Sequence, residues 1–309
     1  MAGLMDKYSH KLAHITRLLR TYPATSALIA VFLILLFATL YGVSRPAKHD
    51  RDFVEHLSRL PHVELREKAF EVSPTRNWSY DRNGPLEKIW RSEPVAHDFG
   101  DLKQVWFLVE PHPGMDAMAH TLVLFEFSDD RLLGLTIEAR REVDEKYSAF
   151  EGNWGKFELL YVWADARDLV LRRAIYLDKN VEIYPLSISL EQSISFLKAM
   201  LAQTRRIENK ARLYNTLFSN CTNELGKHGG LKWHPSFILT GYASQHLHKI
   251  GMIKSDEHDF ASVRKRGDIT AFLEALGPEQ PQMESVMFDK VLLAHLREKW
   301  FSSEQDAQS

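Results

Sequence analysis

Short runs of apolar residues, separated by turn residues, dominate the middle of the chain. Val, Ile, Leu, Phe and Tyr in runs of this length are typical of strands. Ser128-Asp129-Asp130-Arg131 reads as a turn that joins two of them as an antiparallel hairpin. Residues 63–72 are mixed in character, and residues 76–94 are predicted to be a loop. Strands are predicted at 104–110, 120–127, 132–140, 157–163, 169–177 and 181–184.

The pattern becomes helical after residue 188. Ser189 and Gln192 have the spacing of a capping box, and apolar residues then recur at helical spacing from Leu190 to about Glu208. Residues 233–247 are predicted as loop and short helix. Further helices are predicted at 222–228, 269–276 and 287–301. A mostly antiparallel sheet followed by helices predicts an α+β fold.

One long apolar segment precedes this body. No charged residue occurs between Arg20 and Arg45, and residues 24–43 are almost continuously apolar, which is enough for a membrane-spanning helix. Basic residues outnumber acidic ones before it, so the positive-inside rule predicts a cytoplasmic segment 1–23, a span 24–43, a linker 44–62 and an exported remainder. A cleaved signal peptide is the alternative, although the run is long for one and no small-x-small cleavage site follows it.

Composition supports a globular body behind that segment. The net charge of −2 and the aromatic content of 11% are ordinary for a folded domain. Nothing in the chain is strongly basic, so we expect no nucleic-acid partner. His234, His246 and His248 lack carboxylates at metal-ligand spacing, so we expect no metal site, and no motif indicates a cofactor.

The single cysteine, Cys221, is the strongest candidate for chemistry. It follows a loop of small polar residues and opens the short helix predicted to end at His228. The first turn of a helix favours a thiolate, because unpaired N–H groups and the positive end of the helix dipole lie there. A free cysteine is also often a small buried hydrophobe, and that alternative stays open here.

A cysteine nucleophile needs a base and a group that orients the base. His120 begins a predicted strand, and Glu138 lies in its antiparallel return strand. The two residues stand at nearly equal distances from the Asp129-Asp130 turn, so they are expected to be neighbours across the hairpin. This arrangement predicts a Cys221–His120–Glu138 site, against the alternative that the histidine and glutamate are structural or solvated.

Several segments resemble one protein family, the Lnb N-terminal periplasmic domain family. They are Ala-His-Thr-Leu-Val-Leu-Phe-Glu-Phe at 119–127, Leu-Thr-Ile-Glu-Ala-Arg-Arg-Glu at 135–142, Phe-Glu-Leu-Leu-Tyr-Val at 157–162 and Tyr-Asn-Thr-Leu-Phe-Ser-Asn-Cys-Thr at 214–222. The family looks like a circularly permuted relative of the papain-like NlpC enzymes and is similar in order to lecithin:retinol acyltransferase. The resemblance implies a circularly permuted papain-like sheet with packed helices, a catalytic domain at 63–255 and a helical extension at 256–309.

The same resemblance implies acyl transfer. Cys221 would be the nucleophile, His120 the base and Glu138 the third member. Asn220, Tyr214 and Arg140 are the predicted substrate-binding residues, because the first two shape the cysteine loop and the arginine could meet a phosphate head group. The implied protein is a single-pass protein of the bacterial inner membrane whose C-terminal domain is periplasmic. It would move an acyl chain from phospholipid to a lipoprotein amine. Two alternatives stay open: a cysteine amidase or peptidase of the cell envelope, and a non-catalytic periplasmic binding module.

Overall fold

The computed structural model describes residues 21–253, 255–276 and 283–306. Its strands are β1 (His62–Leu65), β2 (Ala69–Ser73), β3 (Thr75–Asp81), β4 (Gly84–Arg91), β5 (Val95–Asp98), β6 (Leu102–Pro111), β7 (Ala119–Phe127), β8 (Leu132–Arg140), β9 (Glu158–Asp165) and β10 (Glu182–Pro185). Its helices are α1 (Pro23–Ser44), α2 (Ala166–Leu171), α3 (Leu190–Asn209), α4 (Cys221–His228), α5 (Ala243–Lys249), α6 (Phe260–Gly267), α7 (Thr270–Ala275) and α8 (Ser285–Asp306).

Two sheets organise the body. The larger has seven strands in the order β10-β6-β7-β8-β9-β3-β4, and the smaller has three in the order β1-β2-β5. All pairings in them are antiparallel except the contact of β3 with β9, which is parallel. Helices pack around the larger sheet, so the predicted α+β class is confirmed.

The central β7–β8 hairpin determines where the site lies. Its register runs from Glu126 opposite Leu132 to Leu122 opposite Thr136. The same register carried two residues further would place His120 opposite Glu138, but the ladder stops at the Leu122 pair. Beyond that pair the two strands are not paired with each other, so side chains at this end of the hairpin can contact another element.

The strand predicted at 169–177 is wrong. Residues 166–171 form α2, and a π-helical turn follows from Arg172 to Tyr176. Every residue of α2 is buried. A short apolar run of this kind does not distinguish a buried strand from a buried helix by its periodicity, which is why the sequence misled the prediction.

The loop predicted at 76–94 is also wrong, because β3 and β4 form a hairpin there. Asn83-Gly84 lies at its turn, a dipeptide typical of hairpins. The polar residues of β3 obscured the strand. Arg76 lies in it almost fully buried, and its guanidinium binds the carboxylate of Asp168 on α2 with Nη2–Oδ1 at 2.7 Å.

The helices after residue 255 pack into the same core as the sheet. Phe288, Leu292 and Leu296 of α8 are fully buried there, together with Val263 of α6 and Leu273 of α7. Burial of this many large apolar side chains is the main source of stability in such a body. This C-terminal part is thus packed against the sheet that carries the site.

The N-terminal apolar segment is helical as α1. Among the residues whose side chains the structure describes, no helix is long and apolar enough to cross a membrane. The predicted span at 24–43 is therefore not confirmed, and residues 1–20 of the predicted cytoplasmic segment lie outside the described residues. The predicted linker is held to the body, since Arg45 and Arg51 both contact the carboxylate of Glu142.

Candidate active site

Cys221 is the first residue of α4, and Asn220 caps that helix. The Asn220 Oδ1 atom accepts a hydrogen bond from the backbone N–H of Asn223 at 2.8 Å. Its Nδ2 atom donates to the carbonyl oxygens of Thr216 and Phe237, each at 2.8 Å. Both N–H groups of this amide and its oxygen are bonded to the backbone, so Asn220 shapes the cysteine loop.

Cys221 is 5% exposed, and its sulfur lies beside polar groups of β7. Burial alone would raise the pKa of the thiol. The charge of His120 and a hydrogen bond from its ring outweigh burial, and the backbone N–H and hydroxyl of Thr121 add to them. Together they lower the pKa of Cys221 to about 7. A large part of the thiol is therefore thiolate near neutral pH.

The other side of the His120 ring meets β8. Its Nε2 atom lies 2.7 Å from Oγ1 of Thr136 and 3.3 Å from Oε1 of Glu138. The Thr136 hydroxyl donates to the same Glu138 oxygen at 2.7 Å, so its own oxygen accepts from Nε2–H. These partners assign a proton to Nε2 and leave Nδ1 as the ring nitrogen for the thiol.

His120 and Glu138 stabilise each other's charged forms. Burial favours a neutral ring, but the Glu138 carboxylate and the Cys221 sulfur outweigh it and raise the pKa of His120 to about 10. Burial likewise opposes ionisation of Glu138, but the His120 and Arg173 charges hold the pKa of its carboxyl well below its usual range. The site therefore favours a thiolate–imidazolium–carboxylate arrangement.

A buried arginine supports Glu138 from below. Arg173 lies in the π-helical turn after α2, and its side chain is 2% exposed. Its Nε lies 3.0 Å from a carboxylate oxygen of Glu110 on β6, and its Nη2 lies 3.7 Å from Glu138. Nη2 also donates weakly to the Thr136 hydroxyl at 3.5 Å. One guanidinium thus ties the ends of β6 and β8 together beneath the histidine.

A second cluster holds α4 in position. Glu224, one turn after Cys221, accepts a hydrogen bond from the Tyr161 hydroxyl of β9 at 2.7 Å and is in ionic contact with Arg212. Burial raises the pKa of a carboxyl group, but hydrogen bonds from His228 and Arg212 outweigh it and lower the pKa of Glu224 to about 2. The helix that carries the nucleophile is therefore fastened to the sheet by a charged carboxylate.

The three residues face a cleft of about 230 Å³. Tyr147 and Tyr214 line one wall, and their rings meet edge to face with centroids 6.4 Å apart. Tyr214 is nearly buried, whereas Tyr147 is 47% exposed. Burial, with the charge of Cys221, raises the pKa of Tyr214 well above its usual range, so its hydroxyl remains a donor. Tyr214 thus lies beside the nucleophile, as a wall of the cleft.

Arg140 was predicted to bind substrate, but it is not among the residues that line the cleft. Its residue is 2% exposed, and its guanidinium donates to the backbone oxygens of Leu57 and Ser58 at 2.7 Å and 2.6 Å. It also lies 3.7 Å above the ring of Phe53. Arg140 therefore attaches the segment before β1 to the sheet. Arg140 lies two positions after Glu138 on β8, so it points to the same face of the sheet, but the segment before β1 covers it.

The described residues contain no metal-binding cluster. Across residues 21–253, 255–276 and 283–306, no group of three or more His, Cys, Asp or Glu side chains is placed to hold a metal ion. His234 and His246 stack with ring centroids 3.6 Å apart, and Nδ1 of His234 is occupied by Ser236.

Comparison with known protein families gives one match. Residues 95–240 match the model of the Lnb N-terminal periplasmic domain. This stretch of the chain belongs to that family. The Lnb domain runs from β5 to the segment before α5 and includes Cys221, His120 and Glu138. The predicted resemblance is confirmed, and the domain is a periplasmic module.

The whole chain was also compared with individual proteins. No curated protein and no solved structure matches it. Cys221 and His120 line the same cleft, and each shifts the pKa of the other.

Sequence reasoning missed four polar residues of the site. Thr121 follows the histidine directly, and Thr136 precedes Glu138 by two residues on the same face of β8, so strand periodicity alone would have found it. Arg173 and Glu110 had no such signal, because the arginine lay in a segment predicted to be a strand. Their placement depends on the packing of α2 and its π-helical turn against the sheet.

Proposed function

We propose that this protein is a membrane-anchored periplasmic acyltransferase that uses Cys221 as its nucleophile. It would take an acyl chain from a phospholipid and transfer it to the amine of a lipoprotein. The observation that carries the proposal is the contact of the Cys221 thiol with an imidazole whose far nitrogen is held by Thr136 and Glu138. This is the geometry that a thiol nucleophile needs.

The first half-reaction begins with the thiolate of Cys221. The sulfur attacks the carbonyl carbon of the phospholipid ester, a C–S bond forms, and the ester C–O bond breaks. The alkoxide that leaves takes the proton from the His120 imidazolium, which returns to the neutral ring. The product is an acyl thioester on Cys221 and a lysophospholipid. The backbone N–H of Cys221, at the start of α4, would help to stabilise the charged intermediate.

The second half-reaction consumes the thioester. A neutral amine attacks the thioester carbonyl, a C–N bond forms, and the C–S bond breaks. Neutral His120 accepts the proton that the amine loses, and the thiolate–imidazolium pair is restored. Glu138 stabilises the imidazolium throughout, because its carboxylate stays ionised beside the ring. In each cycle the ring thus gives one proton to the leaving alcohol and takes one proton from the amine.

Anchoring to a membrane belongs to the same proposal. The large apolar side chains of α1 from Leu28 to Phe37 are 42–71% exposed, which is unusual for a helix in water. Carbonate extraction of cells that express the full chain tests this point. We expect the protein to stay in the pelleted membranes, whereas a variant lacking residues 1–44 should be released. Release of the full chain by carbonate contradicts the anchor and leaves the chemistry of the site untouched.

The experiment that tests the chemistry uses the purified full chain and a phospholipid with a labelled acyl chain. Wild type should gain the mass of one acyl group, and hydroxylamine should remove it, as a thioester requires. Cys221→Ala should gain nothing. An acyl adduct that survives in Cys221→Ala, or none on wild type under any condition, contradicts the proposal.

Hydrolysis is a second candidate, favoured by one observation. The lining of the cleft beside the sulfur includes polar groups such as Glu110 and His112, and such a lining suits a peptide as well as a lipid. In that case water resolves the acyl enzyme. Peptide cleavage that depends on Cys221, with no amine product from labelled phospholipid, would favour an amidase or peptidase.

A further inference from the structure

A second, apolar pocket lies beside the nucleophile, and we propose that it binds the acyl chain of the donor. Its volume is about 310 Å³. This inference rests on the proposed function, since it names where that reaction's acyl group lies. The pocket is separate from the polar cleft that contains Cys221 and His120, so it is a different site on the same helix.

The pocket is built from the sheet and three helices. Phe107 of β6 and Val123 of β7, which pair across the sheet, form its floor. Phe196 of α3, Leu225 of α4 and Leu247 of α5 form its walls. None of the described residues that line it is charged, so it suits an uncharged chain.

One face of α4 lines the pocket along the whole helix. Thr222, Leu225, Gly226 and Gly229 have the spacing i, i+3, i+4 and i+7, which places them on one stripe. From Thr222 to Gly229 a helix rises by about 10 Å. Phe237, which also lines the pocket, packs against Gly226, since a Cβ atom there would lie 2.7 Å from its ring. The stripe thus forms one apolar wall of the pocket.

The inner end of the pocket reaches the nucleophile. Thr222 lines the pocket, and its Oγ1 lies 3.9 Å from the sulfur of Cys221. Its hydroxyl also shares a hydrogen bond of 2.9 Å with Thr121, whose N–H and hydroxyl point at the same sulfur. A thioester on Cys221 therefore begins one hydroxyl group away from the apolar space, and its chain can turn past Thr222 into the pocket.

The outer end of the pocket is open and polar. Ser187 and Gln192 lie at this mouth, next to Gly230 and Gly251, both of which have positive φ angles. This arrangement suits an acyl chain whose reactive carbonyl lies at the inner end. The floor of the pocket is apolar, one hydroxyl lies at the inner end and the mouth is polar.

The first experiment measures binding without chemistry. Titrate the full-chain Cys221→Ala protein with fatty carboxylates of six, eight, ten and twelve carbons, and follow the heat by calorimetry. Each added methylene buried in an apolar pocket strengthens binding by about threefold to fourfold. We expect that increase until the pocket is filled and a plateau beyond it. Affinities that do not depend on chain length would overturn the proposal.

The second experiment fills the pocket. Ile188→Trp places an indole at the lining, and Ile89→Trp is the matched control, because Ile89 lies on β4 away from both pockets and is 44% exposed. Incubate each full-chain variant with nitrophenyl esters of acetate and decanoate, and measure the adduct on Cys221 by intact mass. Ile188→Trp should lower the decanoyl-to-acetyl ratio of rates at least tenfold, and Ile89→Trp should not change it.

The outcomes separate this inference from the function on which it rests. An adduct on Cys221 that forms equally well from both esters in all proteins overturns the acyl pocket and leaves the proposed function intact. Chain-dependent binding in the first experiment, without any adduct in the second, supports the pocket and contradicts the acyltransferase. If Ile188→Trp does not fold, the length series in Cys221→Ala decides the question without it.

Discussion

The Thr136 hydroxyl lies 2.7 Å from Nε2 of His120 and donates its own proton to Glu138. A polar relay thus runs from the base to the carboxylate through a threonine on the same strand as the carboxylate. The direct Nε2–Oε1 distance of 3.3 Å is longer than either step of the relay. Thr136 is a positioning residue, since it holds the ring with Nδ1 directed to the thiol.

The first prediction concerns this relay. Thr136→Val keeps the shape of the side chain and removes the hydroxyl. We expect the rate of acyl-adduct formation on Cys221 to fall by about 10-fold to 100-fold, because a misplaced base costs that much. Intact mass at timed intervals measures it.

Its control is Thr136→Ser, which keeps the hydroxyl and should recover most of the rate. The melting temperature of both variants is measured beside the rate. A rate in Thr136→Val equal to that of wild type would show that the direct contact of His120 with Glu138 suffices.

The second prediction follows from the pKa of Cys221, which is lowered to about 7. The rate of alkylation by iodoacetamide should rise with pH and reach half of its maximum near pH 7, because the thiolate is the reactive form. In His120→Gln the positive charge is lost, and burial then raises the pKa of the thiol above its ordinary value. Its half-maximum should therefore move upward by at least one pH unit.

A matched variant for this titration is His112→Gln, which changes a histidine at the edge of the same cleft. Its alkylation profile should coincide with that of wild type. A profile in His120→Gln that coincides with wild type would mean that His120 does not share charge with the sulfur.

The third prediction tests the structural role of Arg140. Arg140→Gln should lower the free energy of unfolding by about 1–3 kcal/mol, because the carbonyl oxygens of Leu57 and Ser58 lose their donor. Chemical denaturation measures this. Arg82→Gln, on the exposed turn of the β3–β4 hairpin, should change it by less than about 0.5 kcal/mol. Loss of phospholipid binding with unchanged stability would restore the substrate-binding role.

The fourth prediction concerns a buried carboxyl of α8. Burial is the main cause that raises the pKa of Asp289 to about 8, although Leu132 N–H donates to it at 3.0 Å. The folded protein therefore keeps this proton while the unfolded chain, with its ordinary pKa near 4, loses it. Stability contributed by the group is complete below pH 4 and is lost as the pH rises to about 8.

Asp289→Asn removes this penalty and still accepts from Leu132. At pH 7 we expect the variant to be more stable than wild type by at least about 1 kcal/mol, with little difference at pH 4. Thermal unfolding across this range measures both. A variant that is less stable at pH 7 would show that the carboxylate is ionised and paired in the folded protein.

Local sequence patterns were enough for the parts of the site that neighbouring residues define. Counting from the Asp129-Asp130 turn placed His120 opposite Glu138, because antiparallel register is set by the turn. The loop of small polar residues before Cys221 predicted that a helix opens there, and α4 begins at Cys221. The segments shared with the Lnb domain then indicated which histidine to choose among the 14 in the chain.

Packing between distant segments decided the rest. Thr121 and Thr222 are 101 residues apart in sequence, yet their hydroxyl groups meet and bring α4 to the end of β7. From the sequence, Arg140 was expected to be available to a substrate, but the segment before β1 covers it in the fold. Arg173 and the apolar pocket beside α4 also depend on which helices lie against the sheet. Capping and turn patterns depend on residues a few positions apart, so the sequence predicts the features that they define. Burial depends on which distant segments pack together, so only the tertiary structure shows it.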